Sequence, residues 1–270
     1  MKNLTKGNPV KLMLEFALPV CLGNIFQLFY SLADTRIVGS VLGETSLAAV
    51  GATTAVSTLL IGFLQGLTNG FAIVAAQSFG SGKTERLRKA AAGTLLLGTL
   101  TTLAITVLAL AGLEGFLKIL NVPETLYAEA KGYIQIVLAG MMVTMLYNAC
   151  AGILRAVGDT VAPLLFLMCA ALLNVGLDIL FMAVVPLGVQ GAALGTVLAQ
   201  LVSVVLSIGY MWKKYPVFHL KRKDFRIGKA MIKQMYSSGL SMGMMMSLVF
   251  FGTLALQCAI CLLYTSDAAD

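Results

Sequence analysis

Residues 160–179 read TVAPLLFLMCAALLNVGLDI, a run of uncharged residues closed by an aspartate at 178. At 1.5 Å rise per residue, about 20 apolar residues cross the hydrocarbon core of a bilayer as a helix. A membrane β-strand would need only about ten residues, alternating apolar and polar, and no alternation is visible here. The far end of the stretch adds chemistry. Asn174 and Asp178 are four residues apart, so on a helix they share one face, one turn from each other. A charge at the centre of a membrane helix costs about 2.5–3.5 kcal/mol on insertion scales, so an acid there has a partner or a task.

The same pattern recurs outward from this run. Uncharged windows also occupy 16–33, 45–82, 90–113, 132–154, 179–212 and 234–266. Of the 270 residues 59% are hydrophobic and 11% charged, and mean hydropathy is +0.90. A water-soluble domain of this size could not cover that much apolar surface. The chain reads as an all-α integral membrane protein with seven helices, near 12–38, 46–77, 90–112, 132–154, 161–185, 188–212 and 230–260. Lys2, Lys6 and Lys11 before an apolar run resemble a secretory leader. Six comparable windows follow, and Asn24, Gln27 and Asp34 interrupt the first, so it is read as a spanning helix.

The net charge of +7 is a matter of topology. Counting the intervals between windows alternately as inside and outside puts 16 of the 19 Lys and Arg on one side, leaving Arg36, Lys118 and Lys131 on the other. This positive-inside bias predicts a multi-pass protein of the plasma (inner) membrane with a cytoplasmic N-terminus, and a nucleic-acid partner is not expected. The interval 213–233 is the most basic and reads as a connector. The expected organisation is a six-helix unit at 1–212, a cytoplasmic connector at 213–229, the first helix of a second unit at 230–260, and a tail at 261–270 that does not look native. Gly239 to Gly243 in the seventh helix echo Ala17, Leu18, Pro19 and Gly23 in the first, which favours a six-plus-six repeat. Asn121 to Glu124 read as a turn followed by a helix start.

Polar residues inside the windows are the pointers to function. Asn24, Gln27, Ser31 and Asp34 fall on one stripe of the first helix, which must face protein or water. Asp34 has two readings: an interfacial acid pairing with Arg36, or a member of a binding site. Asp178 is either a neutral hydrogen-bonded bundle residue or, beside the Asn174 amide, a switchable charge able to coordinate a small cation through oxygen. Gly62, Gly66 and Gly70, and Gly191 and Gly195, recur at four-residue spacing and read as close helix packing. Pro19 and Pro163 are expected near helix starts, without a hinge. Met242, Met244, Met245 and Met246 with Phe250 and Phe251 form an adaptable apolar surface that serves either ligand or lipid. The cysteines, Cys21, Cys150, Cys169, Cys258 and Cys261, read as small apolar packing residues, and the C-x-x-C of the last two carries no weight.

Several segments together resemble one family. They are Leu4-Thr5-Lys6-Gly7-Asn8-Pro9 with Phe16-Ala17-Leu18-Pro19, Asp34-Thr35 with Val38-Gly39 and Leu47-Ala48-Ala49-Val50-Gly51, Ala76 to Gly82, and Leu154 to Thr160. In that order and spacing they are similar to the multidrug and toxic compound extrusion (MATE) transporters, across residues 5–260. The resemblance implies a six-helix N-terminal lobe of a twelve-helix, two-lobe transporter plus the start of helix seven, with the C-terminal lobe missing. It implies antiport by alternating access, with drug-like, amphipathic or cationic compounds exported against inward H⁺ or Na⁺ and no other cofactor. Carried over by position, it places the cation-coupling site at Asp34, Tyr30, Asn174, Asp178 and Thr196, with Asn148 a looser member. Sodium, if it is the ion, would sit at Asp34, Asn174 and Asp178.

Other classes fit less well. A flippase for a lipid-linked saccharide shares this architecture but would line its cavity with several Arg and Lys for pyrophosphate, and the windows are nearly free of them. A channel would need a continuous polar lining. An enzyme is not expected, since the single His219 lies in the connector and neither H-E-x-x-H nor G-x-S-x-G occurs.

Overall fold

The computed structural model describes the backbone of residues 8–119 and 122–267, and the side chains within these ranges except at 9, 119 and 254–267. Lys2, Lys6, the Leu4 to Gly7 part of the opening motif, Asn121, the side chains of Cys258 and Cys261, and those of the tail lie outside the described residues.

Among the described residues eight α-helices follow one another: α1 (Pro9–Leu42), α2 (Glu44–Gly80), α3 (Thr84–Ala111), α4 (Leu113–Ile119), α5 (Glu124–Ala156), α6 (Val161–Ile179), α7 (Val189–Lys214) and α8 (Lys229–Asp267). Among the described residues six of them are long and apolar enough to cross a membrane. Their outward faces carry large apolar side chains in the open, such as Leu14, Leu108 and Leu172 at 65%, 72% and 73% exposure. In water such a surface would aggregate, whereas hydrocarbon matches it, and helices alone satisfy their own backbone there.

The helix ends follow from local chemistry. The Asn8 side chain accepts a hydrogen bond from the Val10 N–H at 3.0 Å and caps α1. After α5, the Asp159 N–H donates to the Leu154 carbonyl and the Gly158 N–H to the Arg155 carbonyl, both at 3.0 Å. This is a Schellman closure, and it requires the positive φ of 83° at Gly158.

Helices outrun the hydropathy windows at several ends. α3 starts at Thr84, taking Glu85, Arg86, Arg88 and Lys89 into its first turns, and α5 starts at Glu124, directly after Pro123. Hydropathy marks where lipid begins, but the backbone ladder continues into the polar zone. Pro19 is also displaced from its expected place. Because α1 begins at Pro9, Pro19 sits in the helix interior, where it removes a backbone hydrogen bond. Pro163 does fall in the first turn of α6.

α2 runs through the middle, flanked by α3, α5 and α8, while α6 lies between α1 and α7. The glycine stripe of α2 explains its contact with α8. A β-carbon at Gly66 would come within 2.5 Å of the Met242 carbonyl oxygen, and one at Gly239 within 2.6 Å of the Phe71 ring. Without a hydrophobic drive between helices in lipid, this backbone approach supplies the dispersion contacts that hold the pair. The methionine run therefore divides, with Met242 at the α2 contact and Met244 and Met245 exposed.

The basic segment after α7 folds back instead of trailing. Two short turns, Pro216–Phe218 and Arg222–Phe225, lie against α3, with Tyr215, Phe218 and Asp224 buried. Asp224 accepts from the Lys221 N–H at 2.8 Å and faces Arg88 Nε at 3.9 Å. Asp159, in the turn before α6, accepts from the Tyr215 hydroxyl at 2.6 Å, the Tyr210 hydroxyl at 2.8 Å and Lys214 Nζ at 3.2 Å. Burial alone would raise its carboxyl, but the donors from Tyr215, Tyr210, the Ala162 N–H and Lys214 outweigh that and hold it below the usual carboxylate range. This clamp ties the start of α6 to the end of α7.

Candidate functional site

Away from the basic end, α1, α6 and α7 meet around a buried polar cluster. Asn174 and Asp178 are fully buried on one face of α6, as their four-residue spacing dictates. Asn174 Nδ2 donates to Asp178 Oδ1 at 3.1 Å and to Thr196 Oγ1 of α7 at 3.3 Å. From α1, the Tyr30 hydroxyl donates to the same Thr196 oxygen at 3.3 Å. One turn further along α1, the Asp34 carboxyl meets the Asp178 carboxyl directly. No ion pair joins Asp34 to Arg36, so the acid turns inward to the bundle.

Two carboxylates are acceptors only when ionised, so such a meeting is favourable with a proton or a cation between them. Three buried oxygens in the cluster have no hydrogen-bond partner among the described residues: Asp34 Oδ1, Asp178 Oδ2 and Asn174 Oδ1. Leaving such groups unsatisfied is costly, and an all-oxygen set of this kind suits a proton or a hard cation. Among the described residues no cluster of three or more His, Cys, Asp or Glu exists, so the oxygen set here is two acids and an amide.

Five of the six residues singled out from sequence are thus brought together: Tyr30, Asp34, Asn174, Asp178 and Thr196. Asn148 stands apart. Its Nδ2 donates to the Thr144 carbonyl of its own helix at 3.0 Å, and it lines a separate cavity of ≈ 130 Å³ that shares Tyr30 as a wall. Asn24 and Gln27 of the α1 stripe line this cavity too. Ser31 of the same stripe is exposed, and its carbonyl accepts from the Thr35 hydroxyl at 2.9 Å.

Several participants escaped the sequence reading. Tyr133 of α5 lies near the two acids and packs beside Val38 and Met182. Gly195 of α7 lies against Asp178, where a β-carbon would overlap Oδ1, so the glycine read as packing is also a wall of the site. Gln65, Thr144 and Gln200 line the cavity, with Thr144 donating to Gln200 Oε1 at 2.6 Å. Arg155 also lines it, though its position at a helix end marked it only as a topology signal. Nothing in a hydropathy pattern distinguishes a polar residue facing a cavity from one facing water.

The MatE family model matches residues 19–180, a stretch that includes α2 to α5 whole and both acids of the cluster. The chain is 27% identical over 256 residues to a probable multidrug resistance protein, YpnP, of Bacillus subtilis, covering 94% of this chain and 57% of that one. It is 30% identical over 250 residues to a second such protein of Bacillus subtilis, YoeA, covering 89% and 53%. A crystal structure of MATE in the straight conformation superposes with a TM-score of 0.83 at 27% identity, over 97% of this chain and 57% of that one. The chain spans about half the length of the curated relatives it matches, 57% and 53% for these two. A membrane-spanning bundle with an inward-facing pair of acids, matched by this family model over more than half its length, places the chain in the MatE family of multidrug and toxic compound extrusion transporters.

Proposed function

We propose that this chain forms one lobe of a cation-coupled exporter of drug-like, amphipathic or cationic compounds, with its N-terminus and basic segments in the cytoplasm of a plasma membrane. The observation that carries the reading is the direct meeting of Asp34 and Asp178, where one buried oxygen of each acid and the Asn174 Oδ1 lack a partner among the described residues. A proton or Na⁺ held there changes the charge of the α1–α6–α7 junction by one unit. Binding it would draw α1 against α6 and α7 through Asp34, and the Tyr30 to Thr196 bond would transmit the shift to the neighbouring cavity wall. Drug and coupling ion would then exclude one another by charge, which is the requirement for exchange. Each charge moved down a 100 mV potential supplies about 2.3 kcal/mol, before any concentration gradient is counted.

The test is efflux of ethidium from energised vesicles carrying the full-length transporter that contains this chain, with H⁺ and Na⁺ gradients imposed separately. Efflux driven by one gradient and lost in Asp178→Asn is the expected result, and it names the ion. Undiminished coupled efflux in that variant would sink the proposal.

A further inference from the structure

The ≈ 130 Å³ cavity between α1, α2, α5, α6 and α7 has an unexpected charge. Among the described residues no carboxylate lines it, and Arg155 is its single charged side chain. The guanidinium offers five N–H donors, and its one hydrogen bond among the described residues runs from Nη2 to Asn69 Oδ1 at 3.0 Å. The acid nearest in sequence, Asp159, is already engaged by Tyr210, Lys214, Tyr215 and the Ala162 N–H. The C-terminus of α5 offers at most about half a negative charge against a full positive one. A net positive charge therefore remains at one end of a half-buried cavity, where solvent screens it poorly.

The rest of the wall suits an amphipathic guest. Gln65, Thr144, Tyr147, Asn148 and Gln200 supply neutral hydrogen-bonding groups, and Ile61, Leu164 and Leu167 supply an apolar side. The volume far exceeds the roughly 10–15 Å³ that admits one water. We infer that Arg155 is a specificity-determining residue that receives the anionic group, a carboxylate or phosphate, of an amphipathic substrate bound in this cavity. The inference rests on the export reading and deepens it, because it adds an anion-receiving group to the cavity that adjoins the Asp34 and Asp178 cluster across their shared Tyr30 wall. One guanidinium, with no second Arg or Lys on the wall, suits a single anionic group better than a pyrophosphate.

The experiment is direct binding to the full-length transporter that contains this chain, in phosphatidylcholine nanodiscs without any ion gradient, so it can fail or succeed independently of the efflux test. The probes are dansylglycine and its methyl ester, which differ by one negative charge. Native protein should prefer the acid by about tenfold, Arg155→Lys should keep part of that preference, and Arg155→Gln should bring the two probes to parity. Equal binding of both probes by native protein overturns the inference without recourse to any variant, and so does a preference that survives in folded Arg155→Gln. Phosphatidylglycerol added to the nanodiscs separates the sources of the anion. Displacement of dansylglycine by it assigns the subsite to a lipid headgroup and overturns the substrate reading, whereas unchanged binding supports it.

Discussion

Gly195 of α7 faces Asp178 of α6 so closely that a β-carbon on the glycine would overlap the carboxylate Oδ1. The absence of a side chain at one position therefore sets where the acid of another helix can stand. Gly195→Ala should displace Asp178, lower stability by about 1–3 kcal/mol as overpacking does, and reduce coupled efflux at least tenfold. Gly209→Ala on the same helix meets nothing within 4 Å and should be neutral or slightly stabilising. Thermal unfolding and efflux of both variants check this, and equal behaviour of the two would refute the geometric role of Gly195.

Thr196 receives hydrogen bonds from both Tyr30 and Asn174. Thr196→Val keeps the shape but strands two donors, at a cost of about 1–3 kcal/mol. Thr196→Ser should retain most of the stability and function, and thermal unfolding separates the two.

The Asp159 clamp predicts a pH dependence. Its carboxyl lies lower in the folded protein than in the unfolded chain, so its stabilisation is fully present above the unfolded value of about 3.9 and fades as pH falls through the folded one. The difference in melting temperature between native protein and Asp159→Asn should be constant above about pH 5 and shrink toward pH 3. The Tyr215 phenol, raised by burial and then by Asp159, remains a donor across that range. A difference that does not change with pH would show that the clamp acts by shape alone.

On α2, Gly66→Ala should push α8 away, because the new β-carbon would fall 2.5 Å from the Met242 carbonyl oxygen. A loss of about 1–3 kcal/mol in unfolding is expected, against no loss for Gly80→Ala, which meets nothing within 4 Å.

Asp224 is fully buried beneath the segment that follows α7. Asp224→Ala removes the acceptor of the Lys221 N–H and the partner of Arg88, and should cost about 1–3 kcal/mol. Proteolysis between residues 216 and 228 should accelerate in the variant if this acid pins the segment to α3, and an unchanged cleavage rate would contradict that.

Much of this protein is legible without coordinates because a bilayer is an unforgiving solvent. It demands long apolar runs and internal hydrogen bonding, so uncharged windows announce α1, α2, α3, α5, α6 and α7 in order. The same demand makes Asn174 and Asp178 conspicuous, and their spacing alone puts them on one face. Helix ends were less legible. α3 and α5 extend past the lipid boundary, and Pro19 became an interior proline, because backbone hydrogen bonding does not stop where hydropathy does.

Tertiary structure alone decided which polar residues share a space. The sequence determined the membrane class, six of the seven expected spans and the polar faces of α1 and α6, since these depend on composition and on the 3.6-residue period. The residue pattern left Asp34 open between Arg36 and a binding site, and only the family resemblance grouped it with Asp178; neither said that Asn148 belongs to a neighbouring cavity or that Arg155 lines it. Those outcomes depend on how α1, α6 and α7 rotate about their axes once glycines such as Gly66 and Gly195 let backbones approach. Rotation is set by contacts between residues far apart in the chain, and no local pattern carries it.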